Sequence, residues 1–328
     1  MEEDQEKLEK IDTLPWVEKY RPTDLDSIVG NETAINQFKM IAINKNIPHM
    51  ILAGTPGTGK TTSVICISKI LLQDEFNNSF LELNASDECG IEVIRNKITT
   101  FCKKKVSLPE GIHKIIFLDE VDSMTSTAQQ ALRRIIELHA TSTRFIMACN
   151  SSTKIIEAIQ SRCSVVRFTK ISIEDMKKRI IKICELENIK YTDDGLNMLL
   201  ENANGDMRKA INNLQSIQTT YGCINNETVN KTIDNPDVKI VEKMFNHCLN
   251  KNFDGAHEII KKLIDDGYSA LDIIQILFII IKDREIDNKI KIKILSEVGT
   301  TQMNLIHGGD SYLQMLSFIA RIYDTGLF

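Results

Sequence analysis

The sequence has 328 residues, of which 42% are hydrophobic and 26% charged, and it therefore predicts a globular protein of two or three domains. A formal net charge of −5 argues against a stand-alone nucleic-acid-binding protein and leaves room for a local contact or one shared among subunits. Eight cysteines without a CxxC pair argue against a zinc site, and the apolar run Ile273–Ile281 is too short to cross a membrane.

The N-terminal part is polar at first and then rich in residues that break regular structure. Residues 1–12 predict a solvated tail. The following segment, Leu14 to Pro22, holds two prolines together with Trp16 and Tyr20. It predicts an extended loop that the tryptophan anchors.

From about residue 30 to residue 170, short apolar runs alternate with amphipathic stretches, which predicts a parallel β-sheet covered by helices on both faces. The predicted strands are Met50–Ala53, Phe80–Leu83, Ile115–Leu118, Phe145–Cys149 and Val165–Phe168. The helical stretches between them include Thr61–Leu72, Ile91–Lys103 and Ala128–Leu138.

After residue 170 the strand pattern stops and only helical patterns follow. Asp193-Asp194 and Asn226 are the expected caps, and Asn235-Pro236-Asp237 is the expected joint between two helical parts. We therefore expect boundaries at 1–12, 13–170, 171–235 and 236–328. The predicted helices are Ile173–Leu186, Asp193–Ala203, Met207–Gln218, Asn226–Lys231, Val241–Leu249, Asp254–Asp265, Ala270–Ile281 and Tyr312–Tyr323.

One motif between a predicted strand and a predicted helix fits the phosphate-binding pattern GxxxxGK[ST]. Its glycines let backbone N–H groups point at phosphate oxygens, and the following helix N-terminus adds positive potential. Lys60 is expected to reach the β- and γ-phosphates, and the Thr61 hydroxyl is expected to ligate Mg²⁺. An unrelated glycine-rich turn is the alternative. The motif reads Gly54-Thr55-Pro56-Gly57-Thr58-Gly59-Lys60-Thr61.

Polar side chains follow two of the other predicted strands. Asp119 and Glu120 end the strand Ile115–Leu118, where a parallel sheet places carboxylates beside a nucleotide. Asp119 is expected in the Mg²⁺ sphere, and Glu120 is expected to orient the attacking water. Asn150, after Phe145–Cys149, is a candidate partner of that water or of the γ-phosphate. An ordinary acidic strand end and an ordinary turn asparagine are the alternatives.

These motifs, in this order, resemble those of the small subunits of replication factor C, an AAA+ clamp loader ATPase family. The resemblance covers residues 14 to about 220, and two segments, Thr192–Leu196 and Asn212–Gln215, are most similar to the small subunit beside the large subunit. Further motifs that carry it are Leu14–Pro22, Val29-Gly30-Asn31, Leu81–Asp87, Ala131–Arg134, Ser161-Arg162-Cys163 and Gly205–Arg208.

The resemblance implies an AAA+ P-loop ATPase domain at 13–170, a helical lid at 171–235 and a helical collar at 236–328. It implies ATP hydrolysis with Mg²⁺ in a site shared between adjacent subunits of a hetero-pentamer. That ring loads the sliding clamp, proliferating cell nuclear antigen, onto primer-template DNA in the nucleus, and unpaired cysteines suit such a reducing compartment.

Two other functions stay open. Another AAA+ DNA-remodelling or helicase-type ring would carry a substrate-gripping pore loop, and no convincing one lies between Glu88 and Lys105. A scaffold subunit that binds ATP without turnover is the second, and intact Lys60, Asp119 and Glu120 argue against it.

The resemblance also assigns residues to the nucleotide. Arg162 is the expected arginine finger, acting in trans on a neighbour's nucleotide, and Arg208 of the lid is expected to contact the γ-phosphate in cis. A surface arginine is the alternative for Arg162. The residues expected to line the nucleotide site are Tyr20, Arg21, Pro22, Val29, Gly30, Thr55, Pro56, Gly57, Thr58, Gly59, Lys60, Thr61, Thr62, Asn150 and Arg208.

Contacts with DNA and with the clamp are implied less directly. Arg95 and Lys154 are the candidate DNA-binding residues, through sequence-independent phosphate contacts, and solvated helix charges are the alternative. The clamp is expected on the face around Ile98, Phe101 and Val106, although a core role is the alternative. Cys89 stands where the family carries Arg.

Overall fold

A computed structural model describes residues 14–86, 91–109, 111–232, 236 and 238–324 of the chain. The chain divides into two compact units, Met1–Thr232 and Ile233–Phe328. The division lies near the predicted joint, of which Asn235 and Asp237 are outside the described residues. Cys89 is also outside them.

The first unit is built on a five-stranded parallel sheet with the strand order β2-β3-β4-β1-β5. Strand β1 pairs with β4 and β5, in the registers Met50↔Ile146 and Met50↔Ser164. The predicted parallel α/β sheet is confirmed, and each predicted strand is found with slightly wider bounds. The strands are β1 (Met50–Gly54), β2 (Phe80–Asn84), β3 (Lys114–Asp119), β4 (Thr143–Cys149) and β5 (Ser164–Phe168).

Helices cover both faces of this sheet, because side chains along each strand alternate between two cores. Leu52 packs with Phe38 and Ile67 on one face, whereas the adjacent Ile51 packs on the other with Ile98. The helices before residue 170 are α1 (Trp16–Lys19), α2 (Glu32–Asn44), α3 (Lys60–Leu72), α4 (Phe76–Ser79), α5 (Ile91–Lys103), α6 (Ser126–His139) and α7 (Glu157–Gln160).

Four helices follow the sheet within the first unit. They are α8 (Ile173–Leu186), α9 (Asp193–Ala203), α10 (Met207–Tyr221) and α11 (Asn226–Thr232). A two-stranded parallel pair, β6 (Lys190–Tyr191) with β7 (Cys223–Ile224), lies among them. The prediction that no strand follows residue 170 is wrong, since two-residue strands are too short to show a periodic pattern.

The predicted cap residues are each displaced by one position. Thr192, not Asp193 or Asp194, accepts the Gly195 N–H at the start of α9, at 3.2 Å. Asn225, not Asn226, accepts the Thr228 N–H before α11, at 2.8 Å. The two aspartates lie in the first turn of α9, where their charge favours the helix dipole.

The segment Trp16–Lys19 is a helical turn, so the predicted extended loop is wrong there. The carbonyl of Pro15 accepts the N–H groups of Glu18 and Lys19, at 2.9 and 3.0 Å. Proline is compatible with a helix start because it donates no hydrogen bond there. Helix α2 and the long helix Asn288–Ile306 were not predicted.

The second unit is helical throughout its described part. Its core contains fully buried Phe245, Ile273 and Phe318. Its helices are α12 (Val238–Leu249), α13 (Phe253–Asp265), α14 (Ala270–Asp283), α15 (Asn288–Ile306) and α16 (Ser311–Asp324). The run Ile273–Ile281 lies within α14, and none of the helices in the described ranges has the length and apolarity to span a membrane.

Candidate functional site

Two glycines of the phosphate-binding motif, Gly54 at the end of β1 and Gly57 in the loop that follows, lie at close approaches. A Cβ at Gly54 would lie 2.3 Å from the carbonyl oxygen of Phe168, and a Cβ at Gly57 would lie 1.7 Å from Asp206 Oδ1. Gly57 also has a positive φ of 67°, which glycine adopts without steric cost. The chain at Gly54 therefore approaches β5 too closely for a side chain, and Gly57 lies directly beside the end of the Asp206 side chain.

Lys60 is the first residue of α3 and its side chain is buried. Its Nζ donates to the carbonyl oxygens of Gly54 and Thr55, at 2.6 and 2.9 Å. Burial lowers the pKa of Lys60, and the negative charge of Asp119 opposes that shift. The ammonium group is thus fixed inside the loop that the sequence motif predicts to hold phosphates.

Thr61 and Asp119 come together although 58 residues separate them in the sequence. The Thr61 hydroxyl donates to Asp119 Oδ2 at 2.8 Å. Asp119 Oδ1 accepts the backbone N–H of Glu120, also at 2.8 Å. A hydroxyl and a carboxylate at this distance are the oxygen ligands that Mg²⁺ prefers.

Glu120 has a left-handed backbone, with a φ of 54° and a ψ of 38°. A non-glycine residue in this region costs about 1 kcal/mol or more, and such residues concentrate at functional sites. The conformation ends β3 and starts a 3₁₀ turn at Val121–Ser123. The residue predicted to orient water therefore sits at a sharp change of chain direction.

The loop, the strand ends and α10 surround one cleft with an empty volume of about 1090 Å³, including its open mouth. Asp119, Glu120, Asn150 and Arg208 all line it. Thr55 and Gly30 do not, but Gly30 lies directly behind Ile171, which does. The other predicted nucleotide residues in the lining are Tyr20, Arg21, Pro22, Val29, Pro56, Gly57, Thr58, Gly59, Lys60, Thr61 and Thr62.

Asn31 connects the two sides of this region. Its side-chain amide donates to the Thr169 carbonyl at 3.0 Å, and its Oδ1 accepts the Thr169 N–H at 2.7 Å. The same amide is 3.5 Å from the carbonyl of Thr58 in the loop. Asn31, which is left-handed at φ 53°, thus holds the segment after β5 beside the loop.

The cleft also has a wall that the sequence did not identify. Val17, Ile28 and Ile171 contribute apolar surface, and Met207 and Ile211 add one face of α10. The i, i+4 spacing of Met207 and Ile211 is visible in the sequence, but it equally predicts a core face. Only the fold brings that face to the loop, where Met207 N–H donates to the Gly57 carbonyl at 3.1 Å.

Arg162 lies outside the cleft lining. Its guanidinium contacts Glu137 Oε1 at 2.7 Å and donates to the Ala158 carbonyl at 2.7 Å. The side chain is 40% exposed. Of the two arginines predicted to serve a γ-phosphate, the structure brings Arg208 to the loop and leaves Arg162 at the surface.

The residues predicted to contact DNA and the clamp differ in exposure. Arg95 on α5 and Lys154, in the 3₁₀ turn Ser152–Lys154, are both exposed. Ile98 is only 1% exposed and packs in the core beneath the sheet. The expectation that Ile98 belongs to a clamp-docking face is therefore wrong, because its position on α5 faces inward.

The fold and this cleft define a P-loop ATPase of the AAA class. Residues 50–171 match the family model of ATPases associated with various cellular activities, and residues 236–321 match the replication factor C C-terminal domain. The Holliday junction branch migration motor RuvB of Thermotoga maritima has a similar fold, with a TM-score of 0.53, 20% identity and coverage of 68% of this chain and 78% of that one.

Proteins that are similar to this chain over nearly its whole length show the family to which it belongs. Replication factor C subunit 4 of Saccharomyces cerevisiae is 47% identical over 94% of this chain and 96% of its own length. The replication factor C small subunit of Archaeoglobus fulgidus is 39% identical over 93% and 96%. The chain belongs to the replication factor C small subunits and is a clamp loader ATPase subunit.

Proposed function

We propose that the cleft binds ATP with Mg²⁺ and that hydrolysis there drives the loading of a sliding clamp onto primer-template DNA. The observation that carries the proposal is the convergence of Lys60, the Thr61–Asp119 pair and Arg208 on one glycine-rich loop. The first three come from the P-loop and the end of β3, whereas Arg208 comes from the helical part of the unit. A triphosphate is the ligand whose length and charge match such a set.

The oxygens of Thr61 and Asp119 fit Mg²⁺, since hydroxyl and carboxylate oxygens are the hard ligands that this ion prefers. Phosphate oxygens and water complete its coordination, so one or two protein groups are enough. Bound there, Mg²⁺ would neutralise charge on the β- and γ-phosphates. Lys60 is held in place by two carbonyl groups, so its charge is positioned before substrate arrives.

Hydrolysis needs a group that orients water and a cation that stabilises the transferring phosphoryl group. We assign the first role to Glu120, with Asn150 as a second polar partner at the end of β4, since both line the cleft. We assign the second to Arg208 in cis and to Arg162 of an adjoining subunit in trans. The exposed position of Arg162, away from its own cleft, supports action on a neighbour.

The chain is a subunit of a multi-subunit assembly. We propose a hetero-pentamer in the nucleus, with the sliding clamp, proliferating cell nuclear antigen, and DNA as partners, and with this chain beside the large subunit. Exposed Arg95 and Lys154 remain the candidate phosphate contacts. We also propose that 13–170, 171–235 and 236–328 act as ATPase domain, lid and collar.

The test is the DNA-stimulated ATPase rate of the assembled ring. Glu120→Gln should abolish turnover at this subunit's own site while leaving ATP bound. Arg162→Ala should reduce turnover at the neighbour's site by roughly a thousandfold. Arg167→Ala is the matched control, because Arg167 is an exposed arginine on β5 only five residues away.

Two results contradict the proposal. One is a ring that hydrolyses ATP at full rate without Arg162, and the other is a chain that does not bind ATP when Mg²⁺ is present. Purifying the protein with its natural partners tests the assembly directly, since a clamp should be among them.

A further inference from the structure

The segment Trp16–Pro22 crosses from the helical part of the first unit to its sheet, along the edge of the cleft; we call it the strap. At its start, the Trp16 N–H donates to Gln215 Oε1 on α10 at 3.0 Å. At its end, the Pro22 carbonyl accepts from Cys66 Sγ on α3 at 3.4 Å. Between these points Val17, Tyr20, Arg21 and Pro22 line the cleft.

Two oxygen atoms of Tyr20 form hydrogen bonds, one with Arg179 on α8 and one with Glu187, the residue that follows α8. Arg179 Nη2 donates to the Tyr20 carbonyl at 2.7 Å. The Tyr20 hydroxyl donates to Glu187 Oε1, which also accepts from Lys19 Nζ at 2.8 Å. Arg179 and Glu187 are eight residues apart, so they lie on one face of the helix and contact the strap from the same side.

These contacts are partly shielded from water. The side chains of Lys19 and Glu187 are 19% and 21% exposed. Burial, followed by the hydrogen bond to Glu187, raises the pKa of Tyr20 to about 12, so the phenol stays protonated and keeps donating. A charge-assisted hydrogen bond in such a setting is stronger than an exposed ion pair.

We infer that Arg179 and Glu187 are positioning residues for the base-binding end of the cleft, because they fix the strap that forms its wall to the helix that follows the sheet. The inference rests on the proposed ATP site. Neither residue contacts the loop around Lys60 in the described structure. Arg179 also lines the cleft, whereas Glu187 does not, so Glu187 is the residue that acts through Tyr20 alone. Their contribution should therefore appear only for ligands that carry a base.

A comparison of ligands with and without a base distinguishes a residue that positions Tyr20 from one that only stabilises the fold. ATP needs both the phosphate loop and the strap, whereas inorganic tripolyphosphate needs the loop alone. A variant that merely loosened the unit would weaken both ligands. A variant that released Tyr20 would weaken ATP and leave tripolyphosphate unchanged.

The experiment measures dissociation constants of the full chain for ATP and for tripolyphosphate, each with Mg²⁺, by calorimetry. Arg179→Gln and Glu187→Ala should each weaken ATP binding about tenfold, the size expected for loss of a hydrogen bond to a charged group. Tripolyphosphate binding should stay within about twofold of the unmodified chain. Arg179→Lys, which keeps one charged donor, should recover part of the ATP affinity.

Lys178→Gln is the matched control, since Lys178 is the neighbouring cation on α8, its side chain is 73% exposed and it pairs with Asp175. It should leave both constants unchanged. The fluorescence of Trp16, the only tryptophan in the chain, gives a second measurement, because this residue contacts Tyr20 edge-on with ring centroids 6.3 Å apart. Release of the strap should change its emission in Arg179→Gln and not in Lys178→Gln.

Equal weakening of both ligands, or unchanged ATP binding in both variants, overturns the inference. If Arg179→Gln does not fold, as judged by thermal unfolding, Glu187→Ala decides. Failure of the unmodified chain to bind either ligand would instead remove the proposed function, and this inference with it.

Discussion

The two ends of the parallel sheet each bury a lysine, yet the two lysines have different surroundings. Lys60, at the carboxyl end, is 7% exposed, donates to two carbonyl groups and lines the open cleft. Lys114, at the amino end, is 5% exposed and donates to three carbonyl groups, of Phe101, Cys102 and Lys104. Burial lowers the pKa of both.

The comparison shows that a buried charge alone does not identify a functional site. The three donors of Lys114 are all used by carbonyl groups at and just beyond the end of α5. The last carbonyl groups of a helix have no partner within it, although that of Phe101 also accepts the Lys104 N–H at 3.2 Å. Lys114 therefore caps the C-terminus of α5. Lys60 keeps a third donor and faces open volume, so it can still bind a ligand.

The largest expected effect is on ligand binding. Lys60→Met should weaken ATP binding roughly 100-fold or more, because a charged contact to phosphate is lost. The free energy of unfolding should change less than for Lys114, since Thr55 is exposed and water in the open cleft can replace the lost donor. Calorimetry and urea unfolding measure the two quantities. A large loss of stability with normal binding would reverse the roles we give the two lysines.

Lys114→Met should show the opposite result. The carbonyl groups of Cys102 and Lys104 lose the Lys114 donor and that of Phe101 keeps only the Lys104 N–H, which should lower the free energy of unfolding by about 2–4 kcal/mol. ATP binding by the folded protein should be unchanged, since Lys114 is not in the cleft lining. Lys105→Met is a control, because Lys105 is an exposed neighbour of the same helix end. Equal destabilisation by that control would contradict the capping role.

A pH effect should also arise at the amino end. His49 Nδ1 accepts the Phe145 N–H at 3.1 Å, and burial together with the charge of Arg144 lowers the pKa of His49 to about 4. Between pH 6.5 and 4 the unfolded chain binds a proton there that the folded chain does not. Stability should therefore fall by roughly 1–3 kcal/mol as the pH drops through this range.

Urea unfolding at several pH values measures this loss. His49→Gln should flatten the pH dependence, while His307→Gln, at an exposed position on the second unit, should not. A dependence that survives in His49→Gln would assign the effect to another group.

The smallest expected effect is at the carboxyl end, where Glu120 is left-handed. Glu120→Gly should raise the free energy of unfolding by about 0.5–1 kcal/mol, since glycine adopts this conformation without a steric penalty. ATP turnover should be lost. Lys45→Gly, at a φ of 52° after α2, should give a similar gain with normal turnover. A loss of stability in Glu120→Gly would argue against backbone strain at the site.

Much of the sheet and the site could be predicted because both depend on short-range patterns. Lys60 and Thr61 follow from the loop spacing, and Asp119 and Glu120 follow from an apolar strand that ends in acids. Parallel strands then bring these ends to one edge. Helix α2 lacked such a marker, and its start at left-handed Asn31 has no side-chain cap contact.

The rest depends on contacts between distant parts of the chain. Arg179 sits on an amphipathic helix among other cations, and nothing local distinguishes it from Lys178. Its role follows only from the position of Tyr20, 159 residues earlier. Ile98 was misplaced for the same reason, because the inward face of α5 is fixed by packing against the sheet rather than by residue type.

Strand β5 starts two residues after Arg162 and ends at Phe168, whose carbonyl oxygen leaves no room for a side chain at Gly54. It is hydrogen-bonded to β1 along its whole length. A paired strand is stiff, and five residues span about 17 Å. Arg162, which we propose for a neighbour's nucleotide, and the loop that we propose for the subunit's own nucleotide therefore lie at opposite ends of one stiff strand. On that proposal, a displacement at either end is transmitted to the other.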